Sequence, residues 1–158
     1  MGQRIYTVPL DNITVSAIQD LFSILCGAGN GIELHHLHLE ANVSAEAALR
    51  LRIKRMPTTV TQGSGGTVVT TTGTWAVDAG DPAVSGLVAH INDTTQATTT
   101  GTAQILGSFW WDVALPFDHL PAPEDREVFI GSQALVIDLP VAPTSTAISG
   151  YLKFRQIQ

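Results

Sequence analysis

The chain has 158 residues, a formal net charge of −6 and only 14 % charged residues. This length fits one domain, 1–158, with its own core, and the excess of carboxylates argues against direct binding to nucleic acid. The charged fraction is below the roughly 25 % that is usual in globular domains, so we expect part of the surface to be covered by other subunits. The chain has no apolar run near the length of a membrane span and no apolar leader, so we expect neither a membrane partner nor secretion.

Short alternating or β-branched segments, bounded by turn residues, recur along the whole chain and predict an all-β fold. Together with the long connections, they favour a β-sandwich or jelly-roll barrel of about eight or nine strands. One competing signal is a capping-box pattern from Ser16 to Gln19, which predicts a turn of helix at 17–20. The predicted strands are 5–10, 21–26, 32–40, 48–55, 86–92, 103–115, 127–130, 134–139 and 147–155.

The second predicted strand, 21–26, ends at Cys26, the only cysteine of the chain. Cys26 has no partner for an internal disulfide and no nearby cation to favour its thiolate, so we interpret it as a buried small apolar residue. The sequence Gly-Ala-Gly-Asn-Gly at 27–31 predicts a hairpin from this strand into the next one.

Three histidines lie in the next predicted strand, in the order His35-His36-Leu37-His38. Because side chains alternate across a strand, His36, His38 and Glu40 are predicted to share one face. His35 is predicted to lie on the opposite face, together with Leu37. Imidazoles two residues apart on a strand can ligate zinc, iron or manganese, so the pair His36 and His38 is a candidate for metal binding.

A His-X-His pair in a jelly roll resembles the metal-binding strand of cupins, which would imply a metal-dependent enzyme using His36 and His38. The resemblance ends there, because the glutamate that cupins carry shortly after the pair is missing. A third ligand would have to come from His90 or His119, both distant in sequence. We therefore interpret the histidines as exposed or subunit-facing strand residues, and we expect no bound metal and no cofactor.

Half of the eight basic residues lie in the strand 48–55, where they alternate with leucine and isoleucine. Period two directs the apolar residues to a core and Arg50, Arg52 and Lys54 to the other face. Two interpretations fit this pattern: neighbouring strands carry the balancing carboxylates, or the basic face meets an acidic partner. On the second interpretation, the candidate interface residues are Arg50, Arg52, Lys54 and Arg55.

The connection 57–85 is rich in Gly, Thr and Ser, and its length predicts a functional or mobile loop. Trp75 lies within it, and a large aromatic residue in a polar loop is expected to anchor against a core or a partner. Trp110 and Trp111 are adjacent on a predicted strand and so point to opposite faces. Because aromatic residues are enriched where subunits meet, all three tryptophans are candidate interface anchors.

The sequence contains no catalytic signature. There is no nucleophile elbow, phosphate-binding loop or paired-cysteine motif. The carboxylates between Asp112 and Glu127, Asp118 among them, form only a loose cluster that is more typical of a solvated surface. We therefore predict that the protein is not an enzyme.

Four further segments are informative together: Ile5-Tyr6-Thr7-Val8 with Asp11-Asn12, Ala17-Ile18-Gln19-Asp20-Leu21-Phe22, the basic strand 49–55, and Ile148-Ser149-Gly150-Tyr151-Leu152. These segments resemble small structural proteins of tailed bacteriophages. The resemblance implies a head decoration, or cement, protein that binds the capsid exterior and clamps neighbouring capsomers. Its partners would be the major capsid protein and further copies of the chain, with a trimer favoured over a dimer. It would reside on the virion after synthesis in the host cytoplasm.

Two other functions stay open at this point. A receptor- or glycan-binding module of a virion fibre or tail would stack sugars on the aromatic strand around Trp110 and Trp111. A cupin-like metal-dependent enzyme would use His36 and His38. Glycan binding would support the fibre or tail module, and a bound metal ion would support the metal-dependent enzyme.

Overall fold

The computed structural model describes residues 4–43, 45–69 and 76–157. Within these ranges the chain forms β-strands and one 3₁₀ turn at Pro123–Asp125, but no α-helix. No helix of the described part is long and apolar enough to cross a membrane. The strands are β1 (Ile5–Val15), β2 (Gln19–Cys26), β3 (Gly31–Val43), β4 (Ala48–Met56), β5 (Val60–Thr61), β6 (Thr67–Val69), β7 (Leu87–Asp93), β8 (Thr98–Thr99), β9 (Gln104–Asp112), β10 (Phe117–His119), β11 (Val128–Ile130), β12 (Ala134–Leu139) and β13 (Thr146–Ile157).

Most of these strands belong to two antiparallel sheets. The first sheet has the order β1-β13-β3-β10, and β11 pairs with β3 further along the edge that β10 uses. The second sheet has the order β6-β7-β2-β12-β4-β9. The short strands β5 and β8 pair with each other, apart from both sheets.

Eight of the strands follow the order of a jelly roll. In the first sheet they are ordered β1-β13-β3-β10, and in the second β2-β12-β4-β9. This order of two four-stranded sheets is that of a double Greek key. The segment 57–102 is inserted between β4 and β9, and its strands β7 and β6 extend the second sheet beyond β2. The predicted all-β sandwich or jelly roll is therefore confirmed.

Apolar side chains are buried on both sides of the second sheet. The main core lies between the sheets and includes Leu135 and Ile137 of β12. Ala134 and Val136 alternate with them and form a second cluster on the other side, against residues of the insertion such as Ala97. The insertion thus covers the outer side of the sheet, which is why β2 and β12 are buried on both faces.

The nine predicted strands all exist, with shifted ends. Four short strands, β5, β6, β8 and β10, lie between the predicted ones and were not expected, and two local predictions, at 17–20 and 27–31, are wrong. The helical turn expected at 17–20 does not form, because Gln19 and Asp20 already pair with Leu139 and Asp138 of β12. The hairpin expected at 27–31 does not form either, because β2 and β3 belong to different sheets. This connection instead carries the chain from the second sheet to the first.

Cys26 is buried in the main core, as predicted. Its thiol lies 3.7 Å from the carbonyl oxygen of Phe129. Desolvation by burial raises the pKa of the Cys26 thiol to about 12. The group is therefore a protonated core residue at neutral pH, with no thiolate available for chemistry.

Candidate functional site

On the outer face of the first sheet, two histidines of β3 meet one carboxylate of β10. His36 Nε2 lies 2.7 Å and His38 Nδ1 lies 2.8 Å from the same oxygen, Oδ1 of Asp118. Asp118 reaches both rings because the antiparallel register of β10 and β3 places it directly opposite His38. One ligand atom from each of these residues lies within 4.8 Å of the other two. We call His36, His38 and Asp118 the histidine cluster.

Further polar contacts hold both imidazoles of the histidine cluster. His38 Nε2 lies 3.2 Å from Glu40 Oε1, and the hydroxyl oxygen of Tyr151 lies 3.4 Å from His36 Nδ1. The Tyr151 ring stacks on His38 with 5.2 Å between centroids. The ammonium of Lys153 lies 4.7 Å from the centroid of the same tyrosine ring. Each imidazole thus has one nitrogen at the shared carboxylate and the other at a different polar group.

Within the histidine cluster, His38 and Asp118 each stabilise the charged form of the other. The hydrogen bond with Asp118 is the main cause that raises the pKa of His38 above its ordinary value. Hydrogen bonds with His36 and then His38 lower the pKa of Asp118 in turn. The side chain of Asp118 is half exposed, so this carboxylate is accessible from solvent.

His35 does not share a face with Leu37, contrary to the prediction. Successive residues of β13 pair with Leu34 and His36, so His35 is an extra residue in β3, a β-bulge. The bulge shifts the alternation by one position, and His35 Nε2 lies 3.0 Å from Glu33 Oε1. Strict period-two reasoning fails here because a bulge inserts a residue that the sequence pattern does not mark.

The histidine pair lies on the outer face of the first sheet and not between the two sheets. Leu37, between the two histidines, points inward and is fully buried in the core. The histidines considered as third ligands lie elsewhere, His90 at 3.0 Å from Asp93 and His119 at 3.0 Å from Glu127. The described residues therefore form no cupin-like centre, and the third group at the pair is the carboxylate of β10.

Two of the four basic residues of β4 are neutralised inside the fold. Arg52 donates from Nε and Nη2 to the two carboxylate oxygens of Asp138, at 3.0 and 2.5 Å. Lys54 Nζ lies 2.8 Å from Asp138 Oδ2. Asp138 is fully buried on β12, which pairs with β4. These contacts agree with the interpretation in which a neighbouring strand supplies a balancing charge, and they give Arg52 and Lys54 a partner inside the fold.

The other two basic residues of β4 differ in exposure. Arg55 donates from Nη2 to the carbonyl oxygen of Val128 at 2.8 Å, and its guanidinium lies 5.2 Å from the centroid of the Phe129 ring. Arg50 is exposed, and its Nε donates to Ser108 Oγ at 3.3 Å. Of the four predicted interface cations, Arg50 is the one that is exposed.

A second buried carboxylate, Asp20, lies beside Asp138. Gln96 Nε2 donates to Asp20 Oδ1 at 3.2 Å and to Asp138 Oδ2 at 2.9 Å. The backbone N–H of Ala97 donates to Asp20 Oδ2 at 2.7 Å. Burial raises the pKa of Asp20 to about 6, since Ala97 and the charge of Lys54 offset only part of the desolvation. Burial also acts on Asp138, but there the hydrogen bonds from its two cations prevail and hold the pKa below its ordinary value.

We expect Asp20 to make the folded chain less stable at neutral pH than near pH 4. Its folded pKa of about 6 exceeds the ordinary value, so the folded state keeps the proton longer and the free energy of unfolding falls as pH rises through this window. In Asp20→Asn this contribution is absent. The free energy of unfolding of the variant, relative to the wild type, should therefore rise by about 2–3 kcal/mol from pH 4 to pH 7 in urea titrations. For the exposed control Asp125→Asn, the difference in the free energy of unfolding from the wild type should not change with pH. The same pH-independent difference for Asp20→Asn would contradict this role of Asp20.

The two adjacent tryptophans of β9 have opposite environments. Trp110 is 73 % exposed and lies opposite Arg50 in the register with β4. Trp111 is 2 % exposed, belongs to the main core, and donates its Nε1–H to the carbonyl oxygen of Leu115 at 2.7 Å. Trp111 is therefore a core residue and not the interface anchor that we predicted. Trp75, the third predicted anchor, lies outside the described residues.

β9 is the outermost strand of the second sheet, and its free edge has no partner strand among the described residues. It has nine residues, and positions 104–111 contain neither a charged residue nor a proline. The register with β4 leaves Leu106 as an extra residue near the start of the strand. Ile105, Leu106 and Trp110 expose large apolar side chains along it.

Sequence reasoning missed the two carboxylates that organise these sites. Asp118 was assigned to a loose acidic surface, although it immediately precedes a histidine in the segment 117–119. Asp138 stands alone among the apolar residues of the segment 134–139. An isolated carboxylate in an otherwise apolar strand is a usable signal of a buried ion pair. No comparable signal in the sequence links Asp118 to the histidines of β3.

No family model, no curated protein and no solved structure matches this chain. Its function therefore has to be inferred from its own residues and their geometry.

Proposed function

We propose that this chain is a structural component of a virus particle, a decoration or cement protein that binds the outside of a tailed-phage capsid as a homo-oligomer. Its role is assembly and not catalysis, and its partners are further copies of the chain and the major capsid protein. One observation carries the proposal: the free edge of β9, which has no partner within the described residues and is suited to pairing with another chain.

Two other sheet edges, those of β1 and β6, are protected in ways that β9 is not. Sheet edges that do not associate are usually protected by proline, charge, a bulge or short length. β1, at one edge of the first sheet, contains Pro9 and Asp11 and has a register shift before Ile13. β6, at the far edge of the second sheet, has three residues within the described part of the chain. β9 has a bulge near its start but is then regular, and its positions 104–111 contain no charged residue and no proline, which favours pairing with a second copy.

Exposed side chains along β9 add an apolar contribution to this contact. Trp110 has the most exposed large apolar side chain in the described part of the chain. An aromatic residue that becomes fully buried at the centre of an interface contributes a large share of the binding energy. The low charged fraction of the whole chain agrees with a surface that is partly covered by subunits.

Arg50 is the basic residue of β4 that supports the proposed contact with an acidic capsid or sister subunit. It is exposed and neighbours Trp110 across the β4 and β9 register. Charge at the rim of an apolar contact mainly steers association and selects the partner. Reversal of this single charge therefore tests the capsid contact without breaking the buried pairs of Arg52 and Lys54.

We expect Trp110→Glu to dissociate the oligomer while leaving the fold intact. A charge placed on the free edge opposes burial between subunits, and the dissociation constant should rise at least about 30-fold, the equivalent of about 2 kcal/mol for an interface hot spot. Light scattering coupled to size exclusion measures the effect. The matched control is Val77→Glu, which changes another exposed apolar residue and should leave the mass unchanged.

The mass of the wild-type protein also decides the symmetry. A mass near three times the 16.8 kDa of one chain would indicate a trimer, and a mass near twice that value would indicate a dimer.

A monomeric wild type at high concentration would contradict self-assembly through β9, and glycan binding through Trp110 would then be tested on an array. An antibody against the chain should label the outside of virion heads. Unlabelled heads would contradict the location on the capsid but would not contradict self-assembly.

A further inference from the structure

We propose that the histidine cluster is a binding site for a divalent transition-metal ion of the zinc class. His36 Nε2, His38 Nδ1 and an oxygen of Asp118 would be the ligands, and the fourth position of a tetrahedral ion would face solvent. The site lies on β3 and β10 of the first sheet, whereas β9 is the edge strand of the second sheet, and the proposal does not depend on the proposed self-assembly.

The donor set suits such an ion. Two neutral imidazole nitrogens and one carboxylate oxygen are the ligand types found at zinc sites that keep an open position. The charges nearby are those of Asp118, Glu40 and Lys153, which sum to one negative charge and so attract a cation. The ammonium of Lys153 lies over the Tyr151 ring and not between the ligands.

The distances from the Asp118 oxygen to the two histidine nitrogens are close to those which a metal requires. Zinc bonds of 2.0–2.1 Å in a tetrahedron separate ligand atoms by about 3.3 Å. Asp118 Oδ1 lies 2.7 Å from His36 Nε2 and 2.8 Å from His38 Nδ1, which are hydrogen-bond distances. The carboxylate has to withdraw by about 0.5 Å to admit the ion, and its half-exposed side chain has the freedom to do so.

The second nitrogen of each imidazole is already held as metal-bound histidines usually are. Ligating histidines typically place their other ring nitrogen against a carboxylate or another polar group, which fixes the ring and its tautomer. Glu40 Oε1 lies 3.2 Å from His38 Nε2, and the Tyr151 hydroxyl lies 3.4 Å from His36 Nδ1. Both rings are thus oriented with their ligating nitrogens toward Asp118.

The remaining histidines provide a contrast within the same chain. His35, His90 and His119 each lie 3.0 Å from a carboxylate but belong to no such three-residue group among the described residues. They are ordinary ion-pair or hydrogen-bond positions. The expectation of no metal rested on the search for a third histidine, and the structure supplies a carboxylate instead.

The test is a metal titration of purified protein stripped with a chelator. Zinc is followed by calorimetry, and cobalt(II), as a spectroscopic probe, by its visible absorption bands. We expect one ion per chain in the wild type. His38→Ala and Asp118→Asn should each weaken binding at least about 100-fold, and Glu40→Gln and Tyr151→Phe about 10–100-fold. His90→Ala, the matched control, should bind as the wild type does.

Absence of saturable zinc binding, or binding that His38→Ala and Asp118→Asn leave unchanged, would overturn the proposal. The cluster would then be only a set of hydrogen bonds that hold β10 on β3. If Asp118→Asn does not fold, the histidine ring resonances of the wild type decide the question. Zinc must then shift the resonances of His36 and His38 and leave those of His90 in place.

Discussion

Replacing Asp138 with alanine is expected to lower the free energy of unfolding by about 3–5 kcal/mol, the usual cost of removing one partner of a buried ion pair. Asp138 is fully buried, and it accepts hydrogen bonds from Arg52 and Lys54. Without it, the ammonium of Lys54 stays buried with no carboxylate at its former contact. Urea denaturation followed by fluorescence measures the change.

A second variant separates the unpaired charge from the loss of packing. Lys54→Met in the Asp138→Ala background removes the stranded charge, so the double variant should be more stable than Asp138→Ala alone. If the double variant is less stable, burial of an unpaired charge is not the cause. Asp125→Ala, at an exposed carboxylate, serves as the control and should change stability by no more than about 0.5 kcal/mol.

Replacing Phe154 with alanine is expected to cost about 3–5 kcal/mol of unfolding free energy, because it opens a cavity in the main core. Phe154 is fully buried on β13, between β1 and β3, and its ring stacks on Tyr6 with 5.7 Å between centroids. Both neighbouring strands restrict the backbone movement that could fill the space. The effect is measured by urea denaturation at pH 7.

Leu120→Ala is the control for this core substitution. Leu120 is exposed, so its truncation removes little buried surface and should change stability by no more than about 0.5 kcal/mol. A cost for Phe154→Ala as small as that of Leu120→Ala would contradict the position of Phe154 in a tightly packed core. The metal affinity of Phe154→Ala, if it folds, should stay that of the wild type, since Phe154 is not in the histidine cluster.

Strand prediction succeeded because burial on a strand leaves a period-two or continuous apolar pattern in the sequence. Segment 48–55 shows it well: Leu49, Leu51 and Ile53 are buried, as the alternation predicted. The pattern failed where hydrogen bonding between remote strands changed the local geometry. Gln19 and Asp20 carry a helix-capping signal, yet their pairing with β12 makes them strand residues.

The candidate sites were less predictable than the strands. His36 and His38 were placed on one face correctly, but the approach of Asp118 depends on the pairing of β10 with β3. That pairing joins segments about 80 residues apart, and period-two alternation does not show which strands become neighbours. The same limit applies to the basic strand, whose balancing charge, Asp138, lies on β12.

The sequence by itself determined the all-β fold class, the position of nine strands, the burial of Cys26 and the basic character of β4. Local patterns suffice for these features, since they depend on which face of each strand is apolar. Only the tertiary structure decided that Arg52 and Lys54 bind an internal carboxylate, that Trp111 is buried while Trp110 is exposed, and that the histidine pair acquires Asp118. These features depend on strand order, on register and on the bulge at His35 in β3, which arise from the packing of the whole chain.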